Sequence, residues 1–464
     1  MDRLWYYAAF VRFLHIGGSY QQHTDGEDLI LDSTILHALV SPRGPQLTFP
    51  RLRCLSIESL PNCMHEYANA FLVPAVRKLI YGSISMTDRA CLPLMAHLRR
   101  SCARVEELQL ETWSMLNEVL DGVFQFIGSF SNLRKLVYKH TGFHMYSAIL
   151  RLLADLPGLE DLHFSLTPHD WDMRIAGPQF GKRHIGRFRS LQKLIVKSWS
   201  SKLAHIEPLL SMVQSAPLKR LIITFPSRSD GRPPNRHYVF PTLRVLGLGA
   251  KSYGIIGPIL THMSLPGLEE LLAASVESAR SFRNIISSVS TTCSPTSLKR
   301  LDLRHSSDYN TENMSMPLDP MIRPLLAFRR IEDLRLRSSY AFEMSDKTVE
   351  EFALSWPNLK RIYISWKAHT SASTVTIKGL ASLASHCPCL ESIVLPVNVI
   401  PVPTIEEVGY KDTSRNHNIK VLDFDASSVP AECIKELASV LRQLFPVLQK
   451  ITSSEKITLE LAGR

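Results

Sequence analysis

A short pattern recurs along this chain and leaves it few folds to choose from. It consists of an apolar residue, two variable ones, a second apolar, one variable and a third apolar, placed just after a helix-like run. Leu156-Pro157-Gly158-Leu159-Glu160-Asp161-Leu162-His163-Phe164 is one copy; Phe130 to Tyr138 and Trp356 to Ile364 are others. Aligned on the first apolar position, copies fall at Val11, Leu52, Val76, Val105, Leu133, Leu159, Leu191, Leu218, Leu243, Leu268, Leu298, Ile331, Leu359, Leu390, Ile419 and Leu448, at intervals of 24 to 41 residues. Counting the first position as i, side chains i+3 and i+5 point to one face of a strand and i+2, i+4 and i+6 to the other.

The intervening segments 116–130, 147–156, 205–215, 348–356, 377–387 and 431–445 carry apolar residues at steps of three and four, the mark of a one-sided helix. A strand whose helix returns it to a parallel neighbour, repeated at about 20–29 residues plus insertions, is a leucine-rich repeat. The predicted fold is therefore an α/β leucine-rich-repeat solenoid, a horseshoe of about 16 irregular repeats with a parallel concave sheet and helices on the convex side. A chain of 464 residues would ordinarily divide into several domains, but stacked repeats extend one core without that limit. A single solenoid over residues 1–464 is expected, with surface insertions at 19–48, 167–187, 227–238, 306–316 and 396–416, all containing Pro, Gly or Ser.

Composition narrows the class further. Hydrophobic residues at 45% and charged residues at 21% suit a folded chain. The net charge of +10 is spread thinly, without the dense Lys/Arg block of a polybasic arm, so nucleic acid is not an expected partner. The eight cysteines follow neither disulfide nor metal-ligand spacing, which fits a reducing compartment. Met1-Asp2-Arg3-Leu4-Trp5-Tyr6-Tyr7 lacks the basic start of a signal peptide, and no stretch approaches the about 20 apolar residues of a membrane helix. A cytoplasmic or nuclear protein is expected, without membrane association.

Catalysis finds no support in the motifs. The histidines form no His-Glu-x-x-His arrangement, and no Gly-x-Ser-x-Gly elbow occurs. Gly247 to Gly254 follows a strand but has the wrong glycine spacing for a phosphate loop. No catalytic, metal or cofactor site is expected. Recognition is better supported, because the concave face presents one row of side chains per repeat. Positions i+2, i+4 and i+6 give Arg300, Asp302 and Arg304, then Asp333, Arg335 and Arg337, then Arg361, Tyr363 and Ser365. Adjacent strands lie about 4.8 Å apart, so Arg300, Arg304, Arg335, Arg337, Arg361 and Tyr363 form one candidate partner-binding patch. Guanidinium groups suit an acidic or phosphorylated protein segment, with Asp302 and Asp333 offsetting part of the charge.

The repeats, with variable lengths and no strict asparagine ladder (Thr141 and Thr167 stand at that position), resemble those of F-box/leucine-rich-repeat proteins of the fungal type. Trp5-Tyr6-Tyr7-Ala8-Ala9-Phe10-Val11-Arg12-Phe13-Leu14 is similar to the segment that leads from the F-box into the first repeat of such proteins. That resemblance implies a non-enzymatic scaffold that holds substrates for a cullin-based ubiquitin ligase. The F-box module itself is not found in this chain, so a Skp-type adaptor is an expected partner only where an F-box is encoded upstream. The alternative is a repeat-only scaffold or regulator without a ubiquitin-ligase role.

Overall fold

The computed structural model describes residues 6, 8–16, 49–58, 72–84, 91–112, 117–140, 146–166, 188–198, 207–225, 236–250, 255–275, 279–305, 315–366, 373–408, 416, 418–425, 427, 429–452 and 458–460. They gather into two compact units, residues 1–219 and 220–464. In the first, strands β1 (Phe13–Ile16), β2 (Cys54–Glu58), β3 (Lys78–Ile84), β4 (Glu107–Thr112), β5 (Lys135–His140), β6 (Asp161–Leu166) and β7 (Lys193–Ser198) pair in sequence order, each parallel to the next. Helices α1 (Cys91–Ser101), α2 (Asn117–Gly128), α3 (Tyr146–Ala154) and α4 (Glu207–Val213) lie between or after them along the chain.

The second unit repeats the scheme. Strands β8 (Arg220–Phe225), β10 (Val245–Ala250), β12 (Glu270–Ser275), β13 (Arg300–His305), β15 (Asp333–Ser338), β17 (Arg361–Trp366), β19 (Ser392–Val394), β20 (Val421–Asp423) and β21 (Lys450–Thr452) are parallel throughout, and β22 (Thr458–Glu460) closes the series antiparallel to β21. The helices are α5 (Ile256–Thr261), α6 (Ala279–Thr292), α7 (Asp319–Ile322) continued by a 3-10 turn at Arg323–Ala327, α8 (Asp346–Ser355), α9 (Ile377–His386) and α10 (Ile434–Leu444). Short strands β9 (Tyr238–Val239) and β11 (Met263–Ser264) pair with each other, and β16 (Ala341–Ser345) pairs with both β14 (Ser315–Pro317) and β18 (Ser373–Thr374).

All the aligned positions from Val11 to Leu448 carry a parallel strand beginning two residues later, so the chain has the α/β architecture of a leucine-rich-repeat solenoid. The core is the i, i+3 and i+5 set: Leu133, Leu136 and Tyr138 are 1%, 0% and 2% exposed. Leu159, Leu162 and Phe164 are buried in the same way, as are Ile331, Leu334 and Leu336 in the second unit. Each such side chain contributes roughly 1.5–3 kcal/mol by leaving water, which no single repeat can collect without its neighbours.

Two expected boundaries shift. The insertion at 306–316 ends inside β14, because Met316 is buried and its strand pairs with β16. The insertion at 227–238 gives up Tyr238 to β9 for the same reason. Residues 396–408 are irregular and include a cis Ile400–Pro401 bond. Segments 19–48 and 167–187 lie outside the described residues, as do Thr141 and Thr167. Among the described residues no helix is long and apolar enough to cross a membrane.

A hydrogen-bonding rule locks the register. The backbone N–H groups of i+1 and i+2 both donate to the i+1 carbonyl of the preceding repeat, as when Glu332 and Asp333 donate to Lys299 at 2.7 and 3.1 Å. The i+1 residues therefore stack, and their charges alternate from Arg77 to Glu160 and again from Arg244 to Lys420. Arg77 pairs with Glu106 and Arg134 with Glu160, each at 2.7 Å. In the second unit Glu269 takes Arg244 at 2.5 Å and Lys299 at 3.0 Å, and Glu332 takes Lys360 at 2.8 Å. Exposed pairs of this kind are worth about 0–1 kcal/mol each, so the ladder favours the correct stacking register more than it adds stability.

Candidate interaction surface

The six candidate residues occupy three consecutive strands of the second unit. Arg300 and Arg304 stand on β13, Arg335 and Arg337 on β15, and Arg361 and Tyr363 on β17. Cross-strand register sets Arg300 opposite Asp333, Asp302 opposite Arg335 and Arg304 opposite Arg337. It also sets Asp333 opposite Arg361, Arg335 opposite Tyr363 and Arg337 opposite Ser365. All six side chains share one face because alternation along each strand puts i+2, i+4 and i+6 on the same side.

The two carboxylates are not the solvated neighbours that alternation alone suggests. Asp302 is 1% exposed and Asp333 3% exposed. Each is short, and the long arginines lie over it. Arg304 donates from Nε and Nη2 to the two oxygens of Asp302 at 3.0 and 2.9 Å. Arg335 grips Asp333 in the same forked fashion at 2.9 and 3.1 Å. Asp333 also draws Arg361 Nε to 3.1 Å and Arg300 Nε to 3.6 Å, so three guanidinium groups converge on one buried carboxylate. A buried anion is tolerated because it is so fully paired. The hydrogen bonds to Asp302 and Asp333 push the Arg304 and Arg335 pKa values above the usual arginine value, so both stay charged.

Arg337 is held differently. Its guanidinium carbon lies 4.5 Å from the centre of the Tyr363 ring, a cation–π arrangement. Its Nε is buried without a hydrogen-bond partner, and no carboxylate pairs with it among the described residues. Among the described residues the patch brings together five guanidinium groups and two buried carboxylates. Glu270, opposite Arg300 on β12, bounds it on one side, and Ser392 and Val394 on β19 are neutral on the other.

His305 closes β13 below the patch, 4% exposed, with its ring 4.9 Å from that of Tyr340. Ser339 donates its backbone N–H to His305 Nδ1 at 3.4 Å. Burial lowers its pKa from 6.5 to about 4. The folded state thus binds the proton less readily than the unfolded state, so His305 stabilises the fold above pH 6.5 and loses that contribution as pH falls toward 4. Urea unfolding of the wild type is expected to weaken across that window, and His305→Gln is expected to flatten this part of the pH profile. An unchanged slope in the variant would remove His305 from the account.

The apolar stretch Val245, Gly247, Gly249, Leu272 and Ala274 lies beside the patch. Gly247 is itself buried, and a Cβ there would meet Ile222 Cγ1 at 3.1 Å, so the neighbouring strand's isoleucine already fills the space. The glycines sit within β10 and form no phosphate cradle with the described residues. Among the described residues no cluster of three or more His, Cys, Asp or Glu could hold a metal ion. Burial pushes the Cys102 and Cys387 thiols up to about 12 and Cys293 to about 11, leaving them unreactive.

The pairing of each buried aspartate with the arginine two residues on, Asp302-x-Arg304 and Asp333-x-Arg335, escapes a reading that counts charges by face. The repeated Asp-x-Arg in successive strands is the signal that reveals it.

No protein-family model matches the chain, and no curated protein sequence matches it. Among solved structures it is similar to the complex of Rad7 and Elc1 in yeast, at a TM-score of 0.37 and 15% identity, covering 77% of this chain and 79% of that one. A protein from Bacteroides fragilis aligns at a TM-score of 0.26 and 13% identity, over 79% of this chain and 70% of the other.

Proposed function

We propose that the chain is a non-enzymatic protein–protein recognition scaffold whose arginine face on β13, β15 and β17 receives an acidic or phosphorylated segment of a partner. The observation that carries this reading is the anchoring of partly exposed guanidinium groups on buried Asp302 and Asp333. Side chains already fixed in place lose little freedom on binding, and planar forked donors match carboxylate and phosphate oxygens. The likeness of the repeats to F-box proteins extends the proposal to substrate binding for a cullin-based ubiquitin ligase in the cytoplasm or nucleus. A Skp-type adaptor joins where an F-box is linked to these repeats.

Replacing Arg304 and Arg335 together by glutamine is expected to lower recovery of partners in quantitative affinity purification by about tenfold, since each lost charge-assisted contact weighs more than a neutral hydrogen bond. The variant's unfolding midpoint is measured alongside, because Asp302 and Asp333 lose forked partners. Unchanged recovery by the folded variant would reject the arginine face. Copurification of a Skp-type adaptor with the full-length transcript product checks the ligase role separately, and its absence there favours a repeat-only scaffold.

A further inference from the structure

We infer that the partner segment runs along β15 and over the rim ahead of it, where Arg329 and Arg330 receive a second acidic residue, an assignment that rests on the recognition function proposed above. Each strand is entered through a two-residue turn at i−2 and i−1. In the repeats from Leu243 to Leu390 these turns are Pro241-Thr242, Pro266-Gly267, Thr296-Ser297, Arg329-Arg330, Pro357-Asn358 and Pro388-Cys389. Proline, glycine, asparagine and serine suit a turn through backbone geometry or a short polar side chain, and arginine offers neither. The doubly charged turn leads into β15, the middle strand of the arginine face and the one that carries Asp333.

Both arginines are exposed. Arg329 donates from Nη1 to the Leu354 carbonyl at 3.2 Å, which ties it to the last turn of α8 and leaves its charge without a carboxylate. Arg330 makes no side-chain hydrogen bond or ion pair among the described residues. Glu332, two residues further on, is bound by Lys360 at 2.8 Å. Beyond it Arg300 and Arg361 flank Asp333 on the neighbouring strands, 31% and 49% exposed in their side chains. The segments that border this rim, 293–305, 323–338 and 354–366, all lie within the described residues.

Along β15 the order is therefore a cationic turn, the Glu332–Lys360 pair, and then the guanidinium groups around Asp333. Two cationic stations separated by a neutral pair match two separate negative groups with an uncharged stretch between them. A nucleic acid, whose phosphates follow one another without a break, gains nothing across that pair. Arg330 and Asp333 are at most about 10 Å apart along the chain, a span that an extended peptide covers in about three residues. The partner is a protein segment with an acidic or phosphorylated residue at the arginine face and a further Asp or Glu about three positions away.

The test uses the full chain and beads carrying degenerate heptapeptides with phosphoserine at the centre, alone or with glutamate at the first or the last position, beside a pool with serine at the centre. One of the two end-glutamate pools is expected to retain the protein about fivefold more strongly than the phosphoserine pool without it, the upper value of one exposed charge pair. Arg330→Gln is expected to remove that gain and leave retention by the phosphoserine pool itself unchanged. Arg330→Glu is expected to reverse it, so that lysine at the same end is preferred to glutamate. Arg323→Gln, which changes an exposed arginine in the 3-10 turn of the same repeat, is expected to bind as the wild type does. No gain from either end glutamate, or a gain that persists in Arg330→Gln, overturns the rim site and leaves the recognition function standing. Retention by every pool at the level of the serine pool overturns both. Tighter, Arg330-dependent retention by single-stranded oligonucleotide overturns the peptide assignment.

Discussion

Leu136→Asp, or Leu162→Asp, is expected to abolish cooperative folding of several repeats in the first unit. Both leucines are 0% exposed, each at position i+3 of its strand. The substitution removes roughly 1.5–3 kcal/mol of apolar burial and adds the cost of a buried carboxyl group, for a total on the order of 5 kcal/mol or more. That is comparable with the whole stability of many domains, which lies at about 5–15 kcal/mol. Because each repeat contacts its neighbours above all, loss of amide-exchange protection should centre on β4 to β7. Leu136→Met, which nearly conserves volume, is expected to cost less than about 1.5 kcal/mol. An unchanged thermal unfolding midpoint in Leu136→Asp would contradict the register.

Asp333→Ala comes second in expected size. Its side chain is 4% exposed and compensates Arg300, Arg335 and Arg361 at once. Removing the common partner leaves three crowded cations, and breaking a buried ion pair from one side costs about 3–5 kcal/mol. The guanidinium groups reach water, so the lower end of that range applies. Arg361→Ala, by contrast, removes a side chain that is 49% exposed while Asp333 keeps Arg335 and Arg300, and is expected to cost about 1 kcal/mol or less. Urea unfolding of both variants separates the cases. Similar small losses would mean that Asp333 does not anchor the patch.

The strand register is legible in the sequence because one physical rule governs every copy: apolar residues at i, i+3 and i+5 must enter a common core. Leu136, Leu162, Leu334 and Ile362 all obey it. The helices at 117–128 and 377–386 are equally readable from their apolar stripes, and α6 (Ala279–Thr292) carries one as regular, Phe282, Ile285, Ile286 and Val289, set among serines and threonines. Short strands such as β11 and β18 carry too few residues for alternation to show. The placement of Arg300, Arg304, Arg335, Arg337, Arg361 and Tyr363 on one face follows from period two. The burial of Asp302 and Asp333 does not, since it depends on long neighbours folding over short side chains rather than on strand direction. The ladder of Arg244, Glu269, Lys299, Glu332 and Lys360 is hidden for another reason: it lies at i+1, just ahead of each strand, where neither face of the sheet is being counted.

The most direct measurement is arginine-selective labelling with phenylglyoxal, read by peptide mass spectrometry with and without the phosphoserine heptapeptide pool at saturation. Arg304 and Arg337 are expected to lose reactivity when the pool is bound, while Arg134 and Arg244, 60% and 59% exposed in their side chains and on neither β13, β15 nor β17, keep theirs. Protection of Arg134 or Arg244 instead, or no change at Arg304 and Arg337 under saturating peptide, would contradict the assignment of this face to partner recognition.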